Sequence, residues 1–429
     1  MDLTIKSIAN ILSLPSKYLP HLYLSAILFG QVFLSSIANI LHVENRGVML
    51  VLRFFIMVSS YWYILSNLRR EKAYYFLNPW IICLASFWII YLFRLLFDLY
   101  ISGVVLALPA WELFAWSLGS SLPIAMCSFL FAAQNRLSSI LFGQTKYGVF
   151  LLGLSIICFV VNPGLSQGAF YLEHLNAITC ANAGCALYFL CLGKILVSKS
   201  PHNNLRSSQL IEYVGMAVGL FIVVYSATRG VLFATFLITF ASIFFFRASL
   251  EFLVLVQRKI FLLLVSVFFG TMFIVSRSPL LLEKLFTSRA PETILTRLEF
   301  WRVSADQFLI NPVLGTGFGL QEILGSLEIE KGIYYPHNYF IESLAVGGVI
   351  MTLPLTYCIV FPVINFHRIA KFDSSFFPLW LLGVQALIYS MHNGHLGDFP
   401  FFWMIFGVMS GAKCRLNNSA SPELANVND

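Results

Sequence analysis

Apolar stretches long enough to cross a bilayer follow one another along most of this chain, separated by short polar connections. A span needs about 20 apolar residues, because an α-helix rises about 1.5 Å per residue and the hydrocarbon layer is about 30 Å thick. About twelve stretches meet that requirement: 19–41, 48–67, 76–97, 112–133, 147–166, 174–193, 208–228, 231–246, 260–275, 338–364, 376–392 and 399–412. Hydrocarbon offers no partner to a backbone N–H or C=O, so each stretch is predicted to be helical. The fold class is therefore an all-α polytopic membrane protein. One interruption is far longer than the others, residues 276–337 between the ninth and tenth stretches. The chain divides accordingly into 1–275 with spans 1–9, a loop at 276–337 outside the bilayer, 338–414 with spans 10–12, and a tail at 415–429. That tail is rich in Asn, Ser, Ala and Pro, and its composition predicts disorder.

Within the long loop, Pro291 to Ile310 reads as a helix lying outside the bilayer, stopped by Asn311-Pro312. Leu298, Trp301, Ala305 and Phe308 recur at helical spacing and predict its apolar stripe. Glu299, Arg302 and Asp306 fall on another face, as a solvated ladder of ion pairs would. Gly315, Gly317 and Gly319 follow. With no preceding strand and no Lys, they predict a tight reversal toward the membrane more readily than a phosphate-binding loop.

Composition agrees with the pattern. Hydrophobic residues make up 59% of the chain and charged residues 11%, and the mean hydropathy is +0.81, where a soluble domain carries about 25% charged residues. Lys6 and Lys17, Arg69, Arg70 and Lys72, Lys194 and Lys199, Arg258 and Lys259, Arg368 and Lys371, and Lys413 and Arg415 share one side of the predicted topology, while Arg46 is the clearest basic residue opposite. By the positive-inside rule both termini are cytoplasmic and the long loop faces the other way. The net charge of +7 thus follows from topology and predicts no nucleic-acid partner. The first stretch lacks a cleavage site and reads as an uncleaved span. Eight cysteines sit in or beside the spans, none in the loop, so no disulfide or zinc framework is implied. No Walker-type run or internal repeat is present, so the driving energy of any reaction has to reside in the substrate.

The candidate chemistry concentrates in and beside the loop. Arg277, Arg289, Arg297 and Arg302 can clamp an anion through forked hydrogen bonds that Lys does not reproduce. Arg297 stands one turn before Trp301 and outside the ladder, which makes it the better clamp. Arg229, in Ser226-Ala-Thr-Arg-Gly230, occupies the outer end of a tight turn between spans, where an Arg either snorkels to headgroups or serves a site. His337, in Tyr335-Pro-His-Asn338 at the mouth of the tenth span, is either an interfacial histidine or a general base. Anion clamp and base at a membrane surface suggest chemistry on a phosphate-bearing lipid.

Taken together, Ser-Ala-Thr-Arg-Gly230, Thr296-Arg-Leu-Glu-Phe-Trp301, Asn311-Pro-Val-Leu-Gly-Thr-Gly-Phe-Gly319 and Pro336-His-Asn338 resemble the O-antigen ligase and polymerase superfamily. The motif resemblance covers about Tyr225 to Ile350. The flanking spans resemble the superfamily in number and hydropathy, and Asn176 stands where the family often has an asparagine, without the surrounding glycine and proline pattern. The resemblance implies a GT-C-like glycosyltransferase of the bacterial inner membrane that uses no metal or other cofactor. It would act on undecaprenyl-pyrophosphate-linked oligosaccharide at the periplasmic face, with membrane lipids and a chain-length regulator or flippase as further partners. In that setting Arg229 and Arg297, with Arg289, Arg277 or Arg302 in support, hold the pyrophosphate, and His337 takes the acceptor hydroxyl proton. Asn338 orients the histidine or the sugar, with Glu299 and Glu342 as other acidic candidates.

Two acceptors fit the resemblance. A polymerase extends a lipid-linked repeat unit, whereas a ligase transfers the finished chain to lipid A-core; Tyr334-Tyr-Pro-His-Asn338 and the moderate loop are more like polymerases. A transporter or flippase of lipid-linked glycans is the alternative of another class. It would place its charges inside the spans, where Arg53 and Arg94 are the main candidates, and the concentration of unusual charge in the loop favours the enzyme.

Overall fold

The computed structural model describes residues 20–68, 73–135, 137–161, 177–197, 207–245, 289–327, 335–391, 395–397 and 399–425. The predicted ninth span at 260–275, Arg277 and Asn176 lie outside the described residues, as do Lys6 and Lys17. The helices are α1 (Pro20–Ile40), α2 (Asn45–Leu68), α3 (Pro79–Tyr100), α4 (Ala110–Gln134), α5 (Leu137–Val161), α6 (Ala177–Val197), α7 (Ser207–Tyr225) and α8 (Arg229–Phe245). They continue as α9 (Arg289–Ile310), α10 (Leu320–Ser326), α11 (Tyr339–Phe372), α12 (Phe377–Ser390) and α13 (Pro400–Ala425). No strand occurs among the described residues. Among the described residues, seven helices are long and apolar enough to cross a membrane, α1 to α6 and α11, and Leu210–Tyr225, Arg229–Ser242 and Ser374–Ser390 are shorter apolar helices. Every predicted span except the ninth falls on a described helix.

Between helices in lipid the association energy comes from close packing and buried polar contacts rather than from expelling water. Small residues provide that packing here. α6 lies at the centre, 89% of its span buried, against α5, α7, α8 and α12. Gly184 of α6 and Gly219 of α7 approach so closely that a Cβ on Gly184 would stand 2.6 Å from the Gly219 carbonyl oxygen. Gly407 and Gly411, one helical turn apart on α13, seat that helix on α4, where a Cβ would overlap the carbonyls of Ala125 and Phe129.

α11 has 34 residues and would be about 51 Å long if straight, more than the hydrocarbon layer needs. It is broken at Gly348, where φ is 64° and ψ −162°. The section before the break, 339–347, thus forms a short helix of its own at the loop end, and α11 as a whole packs against α9 and α3. Asn338 caps it, its side-chain oxygen accepting from the backbone N–H groups of Phe340 and Ile341.

Two expectations are corrected. α9 stops at Ile310 as Asn311-Pro312 predicts and starts at Arg289, two residues before the predicted Pro291, but its buried seam is Thr296, Phe300 and Ser304, while Leu298 and Ala305 of the predicted stripe are exposed. Spacing alone could not choose between the two stripes, because the long loop is apolar on more than one face and the α11 contact selects the Phe300 side. At the C-terminus α13 runs to Ala425, past Arg415 where composition predicts disorder. A helix already formed by burial extends at one hydrogen bond per added residue, without a new nucleation cost.

Candidate functional site

The turn at 311–319 is built to fit between α3 and the break in α11. Thr316 N–H donates to the Ala345 carbonyl at 2.7 Å, and Val349 N–H donates to the Pro312 carbonyl at 3.0 Å. Gly317 adopts φ 82° and faces Arg94 and Asp98 of α3, where a Cβ would stand 2.5 Å from Arg94 Nε. Asp98 is buried and accepts from Arg94 Nε at 3.1 Å and from Phe318 N–H at 2.6 Å. Gly315 and Gly317 therefore serve close packing and reversal, while a Cβ on Gly319 would meet nothing nearer than 3.9 Å. Arg94, a candidate for transport, is an anchor for the turn.

Beyond the turn, residues 335–338 carry the histidine. Trp301 of α9 donates its indole N–H to the Pro336 carbonyl at 2.8 Å, which fastens the surface helix to this connection. His337 has φ 56°, a conformation uncommon for a residue with a bulky side chain. Its ring packs edge-on against Tyr335, centroids 4.7 Å apart. Asn338, besides capping α11, donates from Nδ2 to the Met391 carbonyl at 2.9 Å and so ties the α12 end to the same place.

The other flank of Tyr335 meets a second histidine. The His395 ring lies 5.5 Å from that of Tyr335 and 5.7 Å from that of Trp116 on α4. Gly397 N–H donates to His395 Nδ1 at 3.1 Å, and Nε2 stands 3.2 Å from Oε1 of Glu342, on the first section of α11. Leu396 N–H approaches the other carboxylate oxygen at 3.3 Å. Both side chains are buried, His395 at 2% and Glu342 at 3% exposure. Burial pushes the His395 imidazole down to about 4, which keeps it neutral at physiological pH. Ser121 Oγ donates to the Gly397 carbonyl at 2.5 Å, so the segment is held from α4 as well.

The predicted site residues divide into those brought together and those placed elsewhere. His337, Asn338 and the Trp301 turn of α9 converge, with Arg297 one turn from Trp301 and half-buried. Arg229 is the first residue of α8, also half-buried. Arg302 grips Glu299 with two bonds, 2.6 Å and 3.0 Å, on the exposed face of α9, as the ladder predicts. Its hydrogen bonds hold the Glu299 carboxyl below its usual range. Arg289 begins α9 and its side chain lies outside the described residues, as Arg277 does. His395 was not predicted. Its signal in the chain is Met391-His-Asn-Gly-His395, which repeats the His-Asn pair of 337–338 beside another apolar stretch. Among the described residues, no group of three or more His, Cys, Asp or Glu could hold a metal ion.

Residues 214–355 match the protein family described as O-Antigen ligase. The matched segment contains Arg229, Arg297, the glycine turn, His337, Asn338 and Glu342, and it ends before His395. The motif resemblance to the O-antigen ligase and polymerase superfamily is borne out over these residues. No curated protein matches the chain.

Proposed function

We propose that this multi-pass membrane protein, with its O-antigen ligase segment at 214–355, is a metal-independent glycosyltransferase. It moves a glycan from undecaprenyl pyrophosphate to a sugar hydroxyl at the periplasmic face of the inner membrane, both termini being cytoplasmic. The acceptor oxygen bonds to the anomeric carbon as the bond from that carbon to the phosphate oxygen breaks, and the electron pair leaves with the pyrophosphate. Arg229 and Arg297 bind that leaving group and stabilise the charge growing on it, which two planar guanidiniums do in a directed way. His337 takes the acceptor proton on its imidazole, a service typically worth about 10²–10⁴-fold. The observation that carries this reading is the Trp301–Pro336 bond, which joins the helix of Arg297 to the connection of His337 within one family segment.

The acceptor we favour is a second lipid-linked repeat unit, making the enzyme a polymerase of O-antigen or exopolysaccharide. The ligase reading is retained because the matching family carries that description. The glycan profile of a deletion strain decides between them. Surface glycan reduced to single repeats supports the polymerase; long lipid-linked chains that never reach lipid A-core support the ligase. An unchanged profile refutes both.

A further inference from the structure

The corner where α9 turns back toward the membrane, residues 309–314, combines two features that do not belong together on a loop in water. Its apolar side chains are bare. Leu309, Ile310, Val313 and Leu314 are each more than half exposed, and the chain carries no charged residue from Gln307 to Gln321. Its backbone carbonyls, by contrast, are all engaged. That of Asn311 accepts from Gly315 N–H at 2.8 Å, those of Pro312 and Val313 accept from Val349 and Ile350 N–H at 3.0 Å and 3.4 Å, and that of Leu314 accepts from Arg94 Nη1 at 3.5 Å. Pro312 has no N–H to satisfy. Water would serve such carbonyls without help from the protein, whereas hydrocarbon serves none. Bare apolar side chains over an engaged backbone are what a segment needs in order to enter lipid.

Two spans fix the depth of this corner. Pro312 and Val313 are bonded to the start of the second section of α11, just past the break at Gly348, and about 30 Å of helix separates Gly348 from Arg368, the first Arg or Lys toward the far end. On α3, Asp98, which holds Phe318 N–H, stands about 29 Å from Pro79, where that span begins. Either distance is about one hydrocarbon thickness, so the corner lies at the boundary of the hydrocarbon on the loop side. Ile350, bonded to Val313, and Leu353 are themselves exposed on the membrane-crossing part of α11, so the bare side chains of the corner adjoin a lipid-facing surface. Earlier on α9 the exposed face carries Asp306 and the Glu299–Arg302 pair instead, groups that belong in water.

We propose that the 309–314 corner is a membrane-interface anchor, its four apolar side chains seated among the outermost acyl carbons of the leaflet on the loop side. α9 is then tethered to lipid at its C-terminal end and rises into water at its charged middle, where the sequence predicts a helix wholly outside the bilayer. The partner is phospholipid, and the proposal does not depend on glycosyl transfer. The test uses the full-length protein in nanodiscs of phosphatidylethanolamine and phosphatidylglycerol, free of undecaprenyl lipid, with dansylalanine encoded at Ile310, at Val313 or, as the aqueous control, at Arg302. Phospholipid brominated on the upper acyl carbons is expected to quench positions 310 and 313 severalfold more than position 302. Equal quenching at the three positions overturns the proposal. So does blue-shifted emission at 310 that brominated lipid leaves unquenched, because a protein surface such as a second copy of the chain would then cover the corner. Should the labelled variants not accumulate, the unsubstituted protein gives a second reading. Phospholipid carrying a diazirine in its acyl chain is expected to crosslink the 309–314 corner as well as positions 350 and 353 of α11, and crosslinks at 350 and 353 with none at 309–314 overturn the proposal.

Discussion

The turn at 311–319 and the connection at 335–338 both meet the first section of α11, yet they use their polar groups in opposite ways. The turn binds through its backbone. Thr316 and Val349 N–H groups close hydrogen bonds across the break at Gly348, and Phe318 N–H ends on the buried Asp98 carboxylate. The connection binds through backbone carbonyls and the Asn338 side chain, and carries its histidine in a left-handed conformation against the Tyr335 ring, next to the Pro336 carbonyl that Trp301 of α9 holds. The glycine run, which looks like a phosphate loop when written out, is a packing device. In the proposed reaction the shorter Pro-His-Asn segment carries the chemistry.

The widest separation between the two regions is expected from His337→Ala. This variant should accumulate and bind the lipid-linked donor, because in the proposed reaction the arginines hold the pyrophosphate, while turnover falls by a factor on the order of 10² or more. His337→Gln can hydrogen-bond the acceptor but cannot accept its proton at neutral pH. Near-normal turnover by the Gln variant, measured by gel analysis of product glycan, would reduce His337 to a positioning group.

Next in size is the response of the arginines to Lys. Arg229→Lys and Arg297→Lys are each expected to lose most transfer, about tenfold or more, at unchanged protein level, since a point charge does not reproduce a forked contact. Arg302→Lys should be tolerated, because Arg302 is paired with Glu299 on an exposed face of α9. Full activity in the first two would mean that they serve the membrane interface.

The turn should fail differently. Gly317→Ala places a methyl against Arg94 and Asp98 in a backbone conformation that favours glycine. A loss of about 1–3 kcal/mol is expected, as for other overpacked sites, read as a lower midpoint in thermal unfolding of the purified protein. The fraction that remains folded should turn over at nearly the wild-type rate. A Gly317→Ala enzyme with normal stability and lost turnover would return the glycine run to the active site.

These contrasts also mark what the chain discloses by itself. Spans such as Pro79–Tyr100 are legible because lipid demands continuous apolar length, and α9 is legible at its ends because Asn311-Pro312 stops it. Arg229, Arg297 and His337 stand out as charge and titratable chemistry bordering apolar sequence. The buried side of α9 was not legible, because Leu298 and Phe300 are equally apolar and only the α11 contact chooses between them. His395 was hidden for a related reason: its importance comes from Glu342, 53 residues earlier in number, meeting it across two helices. A pairing of that kind leaves no local spacing to read.

The smallest expected effect tests whether the His395 side of Tyr335 is as firmly built as the turn. Burial lowers the His395 imidazole from 6.5 to about 4, so an opened segment takes up a proton more readily than the folded one in that window. Stability of the 395–397 segment is therefore fully present above pH 6.5 and is lost progressively as pH falls toward 4. Protonation at Nδ1 would also remove the acceptor used by Gly397 N–H. Hydrogen exchange at Gly397, corrected for the intrinsic pH dependence of exchange, should accelerate across that interval, while Thr316 N–H, bonded to the Ala345 carbonyl, should not. In His395→Gln, which has no ring to protonate, the acceleration should disappear. Equal exchange behaviour at Gly397 and Thr316 in the wild-type protein would show that the two regions open together, and that His395 does not set the stability of its own segment.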